Sequence, residues 1–353
     1  MNKKPKLSLM IHTASFDTFL QTQGVTSYFT SLCQNICQQT LKEIELVYVD
    51  TFYDHNKSNF ESVYKNLPFV VKHVPIHKNH RYYFDKDYAF ISAAKNTGIL
   101  YADGELLVTC DDAEFFPDHL FSLYYSYFTN GTYMIAMHNR MKSIITKDGV
   151  PTFPINGDIY VNDHRFKAFA EKSLIHKNGT WTYAGTSFSL EDAIIMNGFN
   201  EKMDGCKSLE DCEFGSRLQM LGRSFVSDKE GIVYIVDHPS YSSYVVRNSD
   251  TGEDGQIPDL SFYLPTKKNI NNLIAIENYG VCQCTTYFKE ITANKNAITE
   301  KQLKVIQKET IKYRKFDPLA DDNKEKMDIW LNAPNFDLAS EREELRNSTE
   351  WRW

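Results

Sequence analysis

Three carboxyl side chains, Asp111, Asp112 and Glu114, fall within four residues, directly after the apolar run Glu105–Cys110. Like charges this close repel one another unless a cation or hydrogen-bond donors offset them. Oxygen ligands of this kind suit Mg²⁺ or Mn²⁺, ions that bind through one or two carboxylates plus substrate phosphates. The same acids could equally cap a helix opened by Pro117 and stay in water. The stretch by itself leaves both readings standing. A second acidic pair, Glu210-Asp211, heads a helical stretch closed by Gly222, and capping with Glu213 in the first turn would also account for it.

What such residues can do depends on the elements that hold them. Lys6–Ile11 reads as a first strand, Ser27–Gln39 as a helix, Ile44–Val49 as a second strand ending at Asp50, and Phe69–Pro75 as a short third strand. Tyr88–Tyr101 carries helical spacing and stops at Ala102-Asp103-Gly104. Glu105–Cys110 is continuously apolar, as in a strand buried on both faces. This alternation predicts an α/β open sheet with right-handed crossovers. Ligands of such sheets gather beyond the carboxyl ends of the strands. His12-Thr13, Asp50 and Asp111-Asp112 all follow strands there, so one crevice should be lined by all three groups. Farther along, short helices are expected at Leu190–Asn197 and Leu209–Leu221, then near 300–314 and 337–347. There are no internal repeats.

Composition bounds the function. The chain has 353 residues, 42% hydrophobic and 24% charged, which is globular rather than disordered. Its net charge of −7 gives no general attraction to phosphate backbones, so nucleic acid is not expected as the main partner. The seven cysteines form no C-x-x-C pair. Leu7–Ile11 is too short for a secretory core, and no segment nears the ~20 apolar residues that span a bilayer, so the cytoplasm is the expected location. Lys301, Lys304, Lys308, Lys312, Arg314 and Lys315 surround Leu303, Ile306 and Ile311. That pattern leaves room for a peripheral contact with an anionic inner membrane face, or for a solvated surface helix.

Residues 92–120, from Ser-Ala-Ala-Lys-Asn through Ala-Asp-Gly-Glu, Leu-Leu-Val-Thr-Cys-Asp-Asp and Pro-Asp-His-Leu, resemble the central signature of family 2 glycosyltransferases with the GT-A fold. Gly185–Gly222, with Asn197-Gly198-Phe199, Leu209-Glu210-Asp211 and Arg217-Leu218, is similar to that family's acceptor-side signature. The likeness spans roughly residues 6–240. It implies a mixed, mostly parallel central sheet flanked by helices, in a domain over 1–245 with a nucleotide-binding half to about 125 and an acceptor half after it. A partly helical extension over 246–353 follows.

The resemblance also implies roles. Asp112 is the carboxylate that holds Mn²⁺ or Mg²⁺ against the donor diphosphate, Asp111 is the middle acid of the motif, and Cys110 replaces its first acid. Asp50 reads the nucleotide base, although Thr51-Phe52-Tyr53 replaces the usual Gly-Ser turn. His12, Thr13, Lys95 and Asn96 belong to the donor side, and His238 completes the metal coordination. Asp211 is the catalytic base, with Glu210 and Trp181 on the acceptor side. The implied activity is inverting transfer from a nucleotide-diphospho-sugar, a UDP-sugar first, to a glycan or glycolipid acceptor in polysaccharide or glycoconjugate synthesis. A nucleotidyltransferase or a dehydrogenase needs a Gly-rich phosphate loop, and Ile11–Leu20 contains no Gly, Lys or Arg. A non-catalytic sugar-binding protein is the alternative of a different class, and it has no need of the Asp112 and Asp211 pair.

Overall fold

A computed structural model of the chain describes residues 4–13, 17–51, 53–77, 91–161, 173–176, 184–199, 210–211, 214–215, 218, 221–237 and 337–348. The first half alternates β1 (Leu7–Thr13), α1 (Tyr28–Gln38), β2 (Ile44–Asp50), α2 (Tyr53–Tyr64), β3 (Val70–Val74), α3 (Ile91–Tyr101) and β4 (Leu106–Cys110). Next come β5 (Glu114–Phe115), α4 (Leu120–Thr129), β6 (Thr132–Met134), β7 (Met137–Ile144), β8 (Thr146–Lys147), β9 (Val150–Pro151), β10 (Gly157–Val161) and β11 (Ser173–His176). The last described elements are β12 (Thr186–Ser189), α5 (Leu190–Ile195), β13 (Ser224–Asp228), β14 (Ile232–Val236) and α6 (Leu338–Asn347). The helix expected near 300–314 lies outside the described residues.

The central sheet runs β12-β4-β1-β2-β3, with β12 antiparallel and the others parallel. Every residue of β2 and β4 is buried because helices cover both faces. Leu7, Leu9, Ile11, Leu46, Tyr48 and Val108 point toward α1, packing with Phe29, Leu32 and Ile36. Met10, Val47, Val49 and Leu107 point the other way, into the cluster of Ala93, Ala94, Ile99 and Leu100 from α3. This parity follows from the two-residue repeat of a strand. Register then aligns the strand ends. Thr13 sits opposite Asp50 and Ile11 opposite Cys110, so His12-Thr13, Asp50 and the turn after β4 emerge at one edge.

α3 is buried from Ser92 to Tyr101 because α6 lies on its outer side. Arg342 of α6 donates to the carbonyls of Ile99 (2.7 Å), Leu100 (2.5 Å) and Ala102, three of the groups a helix C-terminus leaves without partners. Below the sheet, Lys72 bridges Glu45 (2.8 Å) and Asp103 (2.7 Å). Gly104 packs so tightly there that an added Cβ would lie 2.5 Å from the Ser8 backbone nitrogen, which only glycine allows. None of the described helices is long and apolar enough to cross a membrane.

Candidate active site

The turn after β4 is shaped by Ala113, which takes the left-handed conformation at φ 64°. That turn separates the three acids. Asp111 is exposed and Asp112 half-buried, while Glu114 enters β5 and is fully buried. Burial, then the charge of Asp111, pushes the Glu114 carboxyl well above the usual carboxylate range, and neither of its oxygens has a hydrogen-bond partner among the described residues. Glu114 faces the core, where burial favours its neutral form, so the acidic cluster expected from spacing reduces to Asp111 and Asp112 at the strand end. The Thr13 hydroxyl donates to Asp112 Oδ2 at 2.8 Å, joining the end of β1 to this turn. His12 Nε2 lies 3.3 Å from Asp111 Oδ1. Burial lowers the His12 pKa, and Asp111 opposes that only in part, so the imidazole is neutral at pH 7.

A buried cation links this turn to the second acidic motif. Lys95 Nζ lies 3.2 Å from Glu210 Oε1, and both side chains are almost inaccessible. Burial works against the Lys95 charge, but Glu210, Asp111 and Asp211 together outweigh it and raise its pKa. Lys95 also lies 5.0 Å from the centre of the Phe199 ring. Glu210 and Asp211 are helical and buried. Glu210, expected to face an acceptor, is thus the counter-ion of Lys95.

Asn96, expected on the donor side, is held inside the fold. Its side chain is fully buried, accepts from the Phe199 amide at 2.7 Å and donates to the Phe199 carbonyl at 2.8 Å. It ties down the turn at Phe199. Gly198, at φ 66°, makes that tie fit, since an added Cβ would fall 2.3 Å from Asn96 Oδ1. Asp50 is also fully buried, and its Oδ2 accepts from Asn56 (2.9 Å) and pairs with His73 Nε2 (2.9 Å). Rings of Tyr53 and Phe60 stand 4.7 and 4.8 Å from His73. Neither Asn56 nor His73 was singled out from the sequence. The available signal was the pair Lys72-His73 inside a short strand otherwise made of valine. Trp181 and His238 lie outside the described residues.

Two acidic oxygen donors at a strand end, one exposed and one steadied by Thr13, fit a hard divalent cation that keeps further positions for phosphate oxygens. Among the described residues no three His, Cys, Asp or Glu side chains come together as a closed cage. The described part of β14 ends beside this turn, with Val236 N–H donating to the Ala113 carbonyl at 3.0 Å.

Neither a protein-family model nor a curated protein matches the chain. Solved structures do. S. aureus TarS 1-349 in complex with UDP-GlcNAc superposes with a TM-score of 0.51 at 12% identity, over 93% of this chain and 79% of that one. GalNAc-T7 with UDP, GalNAc and Mn²⁺ gives a TM-score of 0.51 at 11% identity, over 88% of this chain and 55% of that one. The fold is GT-A. In a GT-A chain the strand-end edge just described, where β1, β2 and β4 finish, is where an open α/β sheet takes its ligands.

Proposed function

We propose that this chain is a glycosyltransferase that moves a sugar from a nucleotide-diphosphate donor to an acceptor hydroxyl, with inversion. Asp112 is the principal metal ligand and Asp211 the base. The observation that carries the reading is the electrostatic joining of two acidic motifs distant in sequence. Lys95 is held by Glu210 and feels both Asp111 and Asp211, which supports reading the two motifs as one site. The bound molecules of the two similar structures, UDP-GlcNAc for TarS and UDP, GalNAc and Mn²⁺ for GalNAc-T7, support a nucleotide-sugar donor, a UDP-sugar first, and a divalent cation. The acceptor in this reading is a glycan or glycolipid.

Asp112 would hold the cation, steadied by the hydrogen bond it accepts from the Thr13 hydroxyl. When bound, the cation supplies positive charge to the diphosphate as it departs. The Asp211 carboxylate takes the acceptor hydroxyl proton while that oxygen bonds to the anomeric carbon and the bond to the donor phosphate oxygen breaks. Asp50 serves the base end of the donor, steadied by His73 and Asn56. His238, two positions beyond β14, remains the candidate for a further metal ligand, and Trp181 for stacking on the acceptor.

Thermal stability with UDP, GDP and UDP-sugars, with and without Mn²⁺, tests the reading, since a true donor stabilises by mass action. Mn²⁺-dependent stabilisation that disappears in Asp112→Asn is expected. Unchanged Mn²⁺-dependent donor binding in that variant would remove Asp112 from its role. Sugar binding without any nucleotide response would make the chain a carbohydrate-binding protein instead.

A further inference from the structure

Among the described residues, five large apolar side chains are exposed, and three of them, Ile145, Ile159 and Tyr160, belong to the β7–β10 pair or its first connecting residue. The outward face of this pair, the one that bears Tyr160, carries cations. Arg140 and Lys142 alternate with the buried Asn139 and Met141, so both point away from the core. Lys142 Nζ stands 5.5 Å from the centre of the Tyr160 ring. Asp237 and Arg140 both act on the Tyr160 hydroxyl, which puts all three on one face. Arg140 is about half-exposed, and its ion pair with Asp237 is stretched to 3.8 Å. Two cations thus stand beside an exposed ring, with Asp237 as the acid paired to one of them.

The face is continuous with the candidate site at two points. His138, on the same side of β7, is hydrogen-bonded to the Ala184 carbonyl at 2.7 Å, and the next residue, Gly185, donates to Thr109, two positions before Asp111. At the other side, Val236 is bonded to Ala113, and Asp237, the partner of Arg140, follows it directly.

We propose that the outward β7–β10 face is an acceptor-docking surface and that its ligand is a saccharide bearing negative charge. This rests on the glycosyl-transfer reading above. An aromatic ring offers its face to the apolar side of a sugar. A guanidinium and an ammonium beside it hold a carboxylate or phosphate, the Arg by its planar fork and the Lys as a point charge.

The test uses the full chain and fluorescence anisotropy with three labelled probes: tetragalacturonate, phosphorylated maltotetraose and neutral maltotetraose. Binding of at least one acidic probe about 10-fold tighter than the neutral one is expected, weakening with salt, as one charge-assisted hydrogen bond allows. Arg140→Gln with Lys142→Gln should erase that preference, and Tyr160→Ala should weaken all retained probes. UDP or GDP binding with Mn²⁺ should stay as in the wild type for each variant, and far-UV circular dichroism checks that they fold. Equal binding of acidic and neutral probes, or a preference untouched by the variants, would overturn the proposal. So would variants that lose only binding to phosphatidylglycerol vesicles, which would make the face a membrane contact. Failure of nucleotide binding in the wild-type chain strikes the glycosyl-transfer reading instead, and the two failures are separate readouts.

Discussion

Lys95 and Glu210 form an ion pair with almost no access to water, so removing either partner should be felt throughout the fold. At 3.2 Å and an effective dielectric of about 20 the gross attraction is about 5 kcal/mol. Desolvation of both groups takes back much of it, but stripping one partner leaves the other buried and uncompensated, at about 3–5 kcal/mol. The two single variants should not cost the same. Lys95→Met leaves Glu210 and Asp211 as buried acids without their shared cation. Glu210→Gln leaves Lys95 still attracted by Asp111 and Asp211. Urea unfolding should therefore place Lys95→Met near the upper end of that range and Glu210→Gln near the lower. The double variant should cost about 2–3 kcal/mol less than the sum of the singles, as expected for groups in contact. The measurement is the urea midpoint with the slope checked for constancy. Single-variant costs that add to within about 0.5 kcal/mol would refute a direct pair. A costlier Glu210→Gln would refute the shared-cation argument.

Arg342→Met deprives three buried carbonyls at the end of α3 of their donor. It should lower stability by about 3–5 kcal/mol in urea unfolding, with Arg342→Lys only partly restoring it because an ammonium lacks the fork. The folded-state pKa of His12 is lowered, so the unfolded chain takes up a proton that the fold resists. Stability is then full above the unfolded pKa of about 6.5 and falls as pH drops from there toward the folded value. In the metal-free protein His12→Gln should flatten the urea midpoint between pH 7 and 5, and parallel curves would discount the effect. Asp211→Asn should keep donor and metal affinity while transfer falls by ~10²–10⁴-fold. Transfer near the wild-type rate would pass the role to Glu210 or Glu213.

The parallel strands were legible because each is mostly apolar, rich in Leu, Ile and Val, and flanked by polar turns, and their order put the right residues at one edge. α2 was not, since Tyr53–Tyr64 is mostly polar and only Asn56 and Phe60, one turn apart, are buried. The helix expected to start near Pro117 begins at Leu120, with the Leu120 amide turned back to the Pro117 carbonyl. Glu114 misled for a different reason. Spacing counts charges along a chain, and it cannot register that a positive φ at Ala113 turns the next side chain into the core. Asn96 and Glu210 carry residue types that suit ligand contact, yet what they touch, Phe199 and Lys95, is set by chain segments far away. No periodicity records such meetings. The same holds for Arg342, whose partners lie 240 or more positions earlier.

That distance has a consequence for how the protein is made. Arg342 is separated from Ile99 by 243 positions. At ~5–20 residues per second the ribosome releases α3 roughly ten seconds to a minute before it delivers α6. During that interval the end of α3 must satisfy its carbonyls with water, and the outer side of the helix that holds Lys95 is bare. The amino-terminal half can collapse on its own schedule, but the surface around Lys95 is finished only when a late segment returns to it. A nascent chain halted or cleaved before α6 would carry every residue of both acidic motifs and still lack the settled helix on which their shared cation stands.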